Sequence, residues 1–122
     1  MFRTRLPIAF LLLAACATAS HAKDRSQPLT DCVDLSPDYQ VARFGSQYLL
    51  VKDGDAYYRI GFGGSGCSAI TLSSHVEIAT GGKDNQLCPV ASKVETRRDS
   101  CNAREVLRVD EIEYQKYARR RS

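Results

Sequence analysis

The sequence contains no tryptophan, a single methionine and only two histidines among its 122 residues. It has no Cys-x-x-Cys pair, so it lacks the paired thiolates with which most structural zinc sites are built. The apolar run at residues 6–13 is far shorter than the ~20 residues that cross a bilayer as a helix. We therefore expect neither a metal site nor a membrane span formed by this run.

Residues 1–22 have the organisation of an export signal. Arg3 and Arg5 precede the apolar run, and Ser20 and Ala22 occupy the −3 and −1 positions of a cleavage site after residue 22. The Leu-Ala-Ala-Cys sequence ending at Cys16 also resembles the bacterial lipobox, in which residues 1–15 are removed and the cysteine is lipidated. Both interpretations stay open. Either one predicts a periplasmic protein that is soluble or anchored to the membrane through Cys16.

The net charge comes mostly from the predicted signal. The whole chain has 17 basic and 14 acidic side chains. Without Arg3 and Arg5, 15 basic side chains remain against 14 acidic ones, which is close to neutral. Nucleic-acid binding depends on neutralising phosphates with an excess of basic side chains, so we expect no nucleic-acid partner.

Four cysteines remain outside the signal: Cys32, Cys67, Cys88 and Cys101. An even number of cysteines in a small exported domain is typical of disulfides, so the sequence predicts two bridges. Four cysteines allow three pairings. We favour the nested pairing, in which the middle two cysteines form one bridge and the outer two form the other, because it closes a central loop and clamps both ends.

The pattern after residue 22 predicts one all-β domain. Residues 23–30 are polar and are interpreted as a tether, and residues 31–122 as the disulfide-stapled domain. Short alternating stretches separated by turn residues predict about six antiparallel strands in a small barrel or sandwich; residues 69–72 and 75–80 are two of them. Asp110, followed by Glu113, has the spacing of a helix start, which predicts a short C-terminal helix with a basic tail.

The clearest local signal is a hairpin at residues 48–59, with Asp53 and Gly54 as its two-residue turn. Alternation places Leu49, Val51, Tyr58 and Ile60 on the core face. The opposite face carries Tyr48, Leu50, Tyr57 and Arg59. Tyrosine and arginine are enriched where proteins bind one another, so Tyr48, Tyr57 and Arg59 are candidate binding residues. The alternative is that the terminal helix or a neighbouring strand covers this face.

Two further motifs give only weak evidence of a function. Residues 61–66 match the Gly-x-Gly-x-x-Gly pattern, but a β-like sequence follows instead of the helix that a phosphate site requires. We expect a flexible loop leading to Cys67, and no cofactor. His75 is the one histidine outside the signal, so any hydrolase mechanism must use it.

A family of small exported bacterial proteins of unassigned function resembles this chain over most of residues 31–110. The resemblance rests on Cys32-Val33, the hairpin ending Tyr57-Tyr58-Arg59, Cys67, Leu87-Cys88 and Cys101. An acidic residue often follows the Leu-Cys pair in that family, whereas residues 89–93 contain none, so no role of that acid is carried over. The resemblance implies export and a four-cysteine β domain, and it supplies no activity.

We therefore expect an exported, envelope-associated protein that is a binding or structural module and not an enzyme. Its partner would be an envelope protein or a cell-wall component. One alternative is an inhibitor of a secreted hydrolase such as lysozyme, although the Ser-Gly-x-x-Tyr loop of that inhibitor family is missing. A small hydrolase that uses His75 is the other alternative.

Overall fold

A computed structural model describes residues 26–119. The predicted export signal, Cys16 and the last two arginines of the basic tail lie outside the described residues. Among the described helices, none is long and apolar enough to span a membrane.

The described chain contains eleven strands and two helices. The strands are β1 (Ser26–Pro28), β2 (Val33–Asp34), β3 (Gln40–Phe44), β4 (Tyr48–Asp53), β5 (Ala56–Gly61), β6 (Glu77–Thr80), β7 (Lys83–Asp84), β8 (Gln86–Leu87), β9 (Ser92–Glu95), β10 (Ser100–Asn102) and β11 (Glu105–Val109). The helices are α1 (Ala69–Leu72) and α2 (Glu111–Arg119). All strand pairs are antiparallel. The predicted fold class, all-β with a short C-terminal helix and two disulfides, is confirmed.

The strands form three sheets. The largest has the order β1-β11-β5-β4-β3, the second β10-β9-β6-β7, and β2 pairs with β8 alone. One hydrophobic core joins all three: Leu49 and Ile60 enter it from the first sheet, Ile78 and Val94 from the second, and Leu87 from the third. The strand count exceeds the predicted number of about six because several strands contain only two or three residues, which is too short for an alternating pattern to be recognised in the sequence.

The hairpin confirms the predicted faces but not the predicted register. Asp53 pairs with Ala56 and Val51 with Tyr58, so the turn residues are Gly54 and Asp55. Gly54 is the first turn residue and has φ +62°, the conformation that glycine supplies in a type II′ turn. The predicted turn lay one residue earlier. That error moves each pairing by two residues and leaves the alternation unchanged, so every core side chain still points to the core.

The disulfides are Cys32–Cys88 and Cys67–Cys101, so the nested pairing predicted from the sequence is wrong. Val33 pairs with Leu87 in the β2–β8 ladder, which places the next residues, Cys32 and Cys88, opposite each other. This pairing joins segments that are 56 residues apart, and no local pattern announces it. In chain-entropy theory, each bridge removes about 4 kcal/mol of unfolded-state entropy.

The structure corrects two other segments. Ser26–Pro28 forms β1 and pairs with β11, so this part of the predicted tether belongs to the sheet. Residues 69–72 form the helix α1 where a strand was predicted. Arg43 explains how the helix is held: its Nε donates to the Ile70 carbonyl at 2.6 Å and its Nη2 to the Ser73 carbonyl at 3.0 Å. These bonds satisfy carbonyls at a helix C-terminus, which lack partners within the helix.

Candidate functional site

The terminal helix α2 begins as predicted. The Glu113 amide donates to Asp110 Oδ1 at 2.8 Å, and the Tyr114 amide donates to the Asp110 carbonyl at 3.0 Å. Asp110 is therefore the N-cap, and the carboxylates of Glu111 and Glu113 lie in the first turn, where the helix dipole favours negative charge.

Aromatic rings fix α2 to the outer face of the five-stranded sheet. Tyr114 is buried and its ring centroid lies 5.0 Å from that of Tyr57. The Tyr117 ring lies edge-on to Phe44 at 5.0 Å and to Tyr48 at 5.3 Å. Aromatic pairs in such geometries contribute about 0.5–1.5 kcal/mol beyond the area they bury. The helix therefore covers the face on which we considered a partner.

Arg59 lies at the centre of this contact, with only 12% of its side chain exposed. Its Nη1 donates to Glu113 Oε2 at 3.3 Å, and its guanidinium carbon stacks 4.5 Å from the Tyr48 ring and 5.2 Å from the Tyr117 ring. Arg59 Nε is buried and has no hydrogen-bond partner within residues 26–119. The candidate binding residues Tyr48, Tyr57 and Arg59 thus contact the protein's own helix and do not form a free surface while it is docked.

The glycine-rich stretch at residues 61–66 leads to Cys67, as the sequence predicts. The Cys67 amide donates to the Ser46 carbonyl at 2.7 Å, and Cys67 is bonded to Cys101. Gly66 has φ +72°, and a Cβ at this position would lie 2.7 Å from the same carbonyl oxygen. The helix that follows has only four residues. This loop therefore has a structural role in placing the disulfide.

A groove of about 400 Å³ lies where the edge strand β3 meets the start of β6. Apolar groups and polar groups both line it, namely Pro37, Tyr39, Val41, Ser74, His75, Val76, Glu77, Asp84 and Asn85. Concave sites with an apolar lining and a few convergent polar groups are the usual form of ligand sites. We take this groove as the candidate functional site.

The groove exists because β7 covers only half of β6. β7 pairs with Ala79 and Thr80, so none of the described strands pairs with Ile78 on that side of β6. The Tyr39 hydroxyl oxygen accepts the Ile78 amide at 3.1 Å, and the Asn85 amide donates to the Ile78 carbonyl at 2.8 Å. Tyr39 and Asn85 thus complete the sheet edge. In the described part of the chain, the Tyr39 hydroxyl donates no hydrogen bond, so its hydrogen is available to a ligand.

The electrostatics of the groove are acidic. The pKa of Tyr39 is raised, mainly by burial. The hydrogen bond from the Ile78 amide lowers this pKa, whereas the nearby carboxylates of Glu77 and Asp84 raise it further. Glu77 also lies directly opposite Glu95 on β9. Like charges at such positions repel. A ligand with donor groups or positive charge would relieve this repulsion.

His75 lies at the rim of the groove. Its Nε2 is 2.9 Å from Glu77 Oε2, and the two side chains are 62% and 58% exposed. The Ser73 hydroxyl binds the backbone of His75 and not its ring. Among the described residues, no hydroxyl is hydrogen-bonded to the imidazole, and no group of three or more His, Cys, Asp or Glu side chains has metal-site geometry.

A second exposed feature is the loop at residues 88–92, which lies at the opposite end of β6 from His75. Ser92 is buried, and its hydroxyl accepts the Cys88 amide at 2.8 Å, donates to the Cys88 carbonyl at 3.1 Å and contacts the Thr80 hydroxyl. Ala91 has φ +67°, and Val90 is 73% exposed. The loop is therefore a closed turn that presents an apolar tip.

Comparison with known proteins adds no relative. No protein-family model, curated protein or solved structure matches the chain. The groove was not predicted as a site: of its lining residues only His75 was a candidate, and Tyr39, Asp84 and Asn85 come from distant segments.

Proposed function

We propose that this protein is an exported, envelope-associated binding module that has no catalytic activity. Its ligand site is the groove between β3 and β6, and its partner is an envelope protein or a cell-wall component. The observation that carries the proposal is the combination, in one groove, of an apolar wall with the Tyr39 hydroxyl, the carboxylates of Glu77 and Asp84 and the His75 imidazole. Such a groove suits a ligand with ammonium, guanidinium or hydroxyl groups.

Two features support export. The leader has a basic start, an apolar core and small residues before the cleavage position. Two disulfides suit an oxidising compartment, because reducing compartments keep thiols free. Intact mass spectrometry of the mature protein distinguishes the processing routes: a start at Lys23 indicates a soluble periplasmic protein, and a lipid on Cys16 indicates an anchored one. A mass that retains residues 1–15 would refute both routes.

A charge reversal tests the groove. We expect Glu77→Lys to abolish capture of the partner from an envelope fraction, whereas Glu111→Lys, an exposed position on α2, leaves capture unchanged. Both substitutions reverse one exposed carboxylate, so the pair controls for net charge. Equal capture by wild type and Glu77→Lys would refute the groove as the binding site.

One observation favours inhibition of a secreted hydrolase as a second candidate function. The loop at residues 88–92 is closed by Ser92 and a disulfide, and it presents Val90 to solvent. A preordered convex loop suits insertion into a concave cleft, because it loses little conformational entropy on binding. Inhibition of lysozyme or of a secreted protease that is lost in Val90→Asp, but not in Glu77→Lys, would favour this function over the groove. The hydrolase alternative has less support, because within residues 26–119 the imidazole of His75 has a carboxylate partner and no hydroxyl partner.

A further inference from the structure

The two disulfides differ in their access to solvent. In the Cys32–Cys88 bridge, Cys32 is exposed and Cys88 is buried at 4%. In the Cys67–Cys101 bridge, Cys67 is buried at 1% and Cys101 packs half-buried against the main core. Thiol–disulfide exchange requires an attacking thiolate to reach one sulfur atom of the bridge. Cys32 is more exposed than either cysteine of the second bridge, so we expect a thiolate to reach it more readily.

The surroundings of the exposed bridge allow it to open without loss of the local strand pairing. Asp34 on β2 contacts Lys83 Nζ at 3.5 Å and Gln86 Nε2 at 3.5 Å. The Leu35 amide donates to the Asn85 carbonyl at 2.8 Å. These contacts join the same two segments as the disulfide does. In the second bridge, by contrast, Cys67 lies in the core and its amide donates to the Ser46 carbonyl at 2.7 Å.

We propose that Cys32 is a thiol-exchange site that takes dithiol reductants, and that Cys67–Cys101 is a permanent structural bridge. A thiolate of the dithiol attacks Cys32 Sγ, the bond to Cys88 Sγ breaks, and Cys88 leaves as a thiolate that is then protonated. The second thiol of the reductant attacks the mixed disulfide and releases Cys32. The dithiol loses two electrons and becomes a disulfide, and the protein gains two thiols.

Opening this bridge changes the loop at residues 88–92. Cys88 is the first residue of the loop, and the disulfide is one of its two anchors, the other being the hydrogen bonds of Ser92. Ala91 has a left-handed backbone, which persists only where the surrounding structure enforces it. With one anchor removed, Val90 and Ala91 sample more conformations. The exchange site thus controls the order of the exposed loop.

Partial reduction of the native protein tests the proposal. The protein is incubated with dithiothreitol, the free thiols are trapped at intervals by alkylation, and the labelled peptides are counted by mass spectrometry. We expect Cys32 and Cys88 to be labelled at least fivefold faster than Cys67 and Cys101, which form the control within the same molecule. A smaller ratio, or the reverse order, would overturn the proposal. The rate ratio is measured at low conversion, so it does not depend on whether the reduced chain stays folded.

Hydrogen exchange then tests the consequence for the loop. After selective reduction and alkylation, the Cys88 amide, which donates to Ser92 Oγ in the oxidised protein, should exchange at least tenfold faster, while the amides of β4 and β5 keep their protection. Unchanged exchange at Cys88 would overturn the control of the loop by this bridge. Loss of protection throughout the sheets would overturn it too, because the bridge would then be a structural one.

Discussion

Replacement of Arg59 by alanine tests whether this side chain holds α2 on the sheet. Arg59 and Glu113 are each 12% exposed and are joined by a hydrogen bond of 3.3 Å. Removal of one partner of a buried ion pair costs about 3–5 kcal/mol. Part of this cost is avoided here, because Glu113 lies in the first turn of α2, where the helix dipole stabilises a carboxylate by about 0.3–1 kcal/mol. We therefore expect the free energy of unfolding to fall by about 2–5 kcal/mol.

The assay is urea denaturation followed by circular dichroism, with a thermal melt as the second measurement. For a domain of this size, 1 kcal/mol lowers Tm by about 4–8 °C, so the expected shift is about 8–40 °C. The matched control is Arg59→Met combined with Glu113→Leu. An apolar pair of similar volume often replaces a buried ion pair at little cost, and Arg59 Nε has no partner to lose among the described residues.

Two results would refute this reasoning. If Arg59→Ala lowers the free energy of unfolding by less than about 0.5 kcal/mol, the ion pair contributes no more than an exposed pair does. That result would mean that α2 is not docked in solution. An equal loss for the alanine variant and for the apolar double variant would mean that the ion pair itself stabilises the domain, and that the cost of Arg59→Ala does not come from leaving Glu113 buried without its partner.

Three further predictions concern stability. Ser92→Ala should lower the free energy of unfolding by about 1–3 kcal/mol in urea titrations, because it leaves the buried Cys88 amide without a partner; a loss below 0.5 kcal/mol would contradict this. Burial raises the pKa of Tyr114. The contribution of this side chain to the free energy of unfolding is therefore complete below the ordinary pKa of about 10, and it is lost as pH rises through the raised pKa. Tyr114→Phe should accordingly lose less stability than wild type between pH 8 and pH 11. Gly66→Ala should cost at least about 1–2 kcal/mol from its left-handed backbone alone, with the contact to the Ser46 carbonyl in addition; an unchanged urea midpoint would contradict that geometry.

The features that the sequence predicted correctly depend on neighbouring residues. Alternation along residues 48–60 sets which side chains of the hairpin face the core, and Asp110 with Glu113 sets the start of α2. The hairpin register was missed because Asp53-Gly54 and Gly54-Asp55 are both acceptable turns. They differ by two residues in pairing, and a pattern of period two cannot distinguish them.

The features that the sequence did not predict depend on contacts between distant segments. Cys32–Cys88 requires the pairing of β2 with β8, two strands of two residues each. The helix α1 takes support from Arg43, which lies 27 residues before Ile70. The groove joins Tyr39, His75 and Asp84 through an edge of β6 that β7 leaves uncovered. None of these contacts has a signature in local spacing, so they emerge only when the chain is folded.

Site-specific photo-cross-linking in cells tests the central claim most directly. A photoreactive residue at Ser74, on the wall of the groove, should form an adduct of defined mass with an envelope protein or cell-wall fragment. The same residue at Glu111, on the exposed side of α2, should form none, and Glu77→Lys should abolish the adduct at Ser74. Adducts that form at Glu111 but not at Ser74, or an adduct at Ser74 that persists with Glu77→Lys, would contradict a binding module that uses this groove.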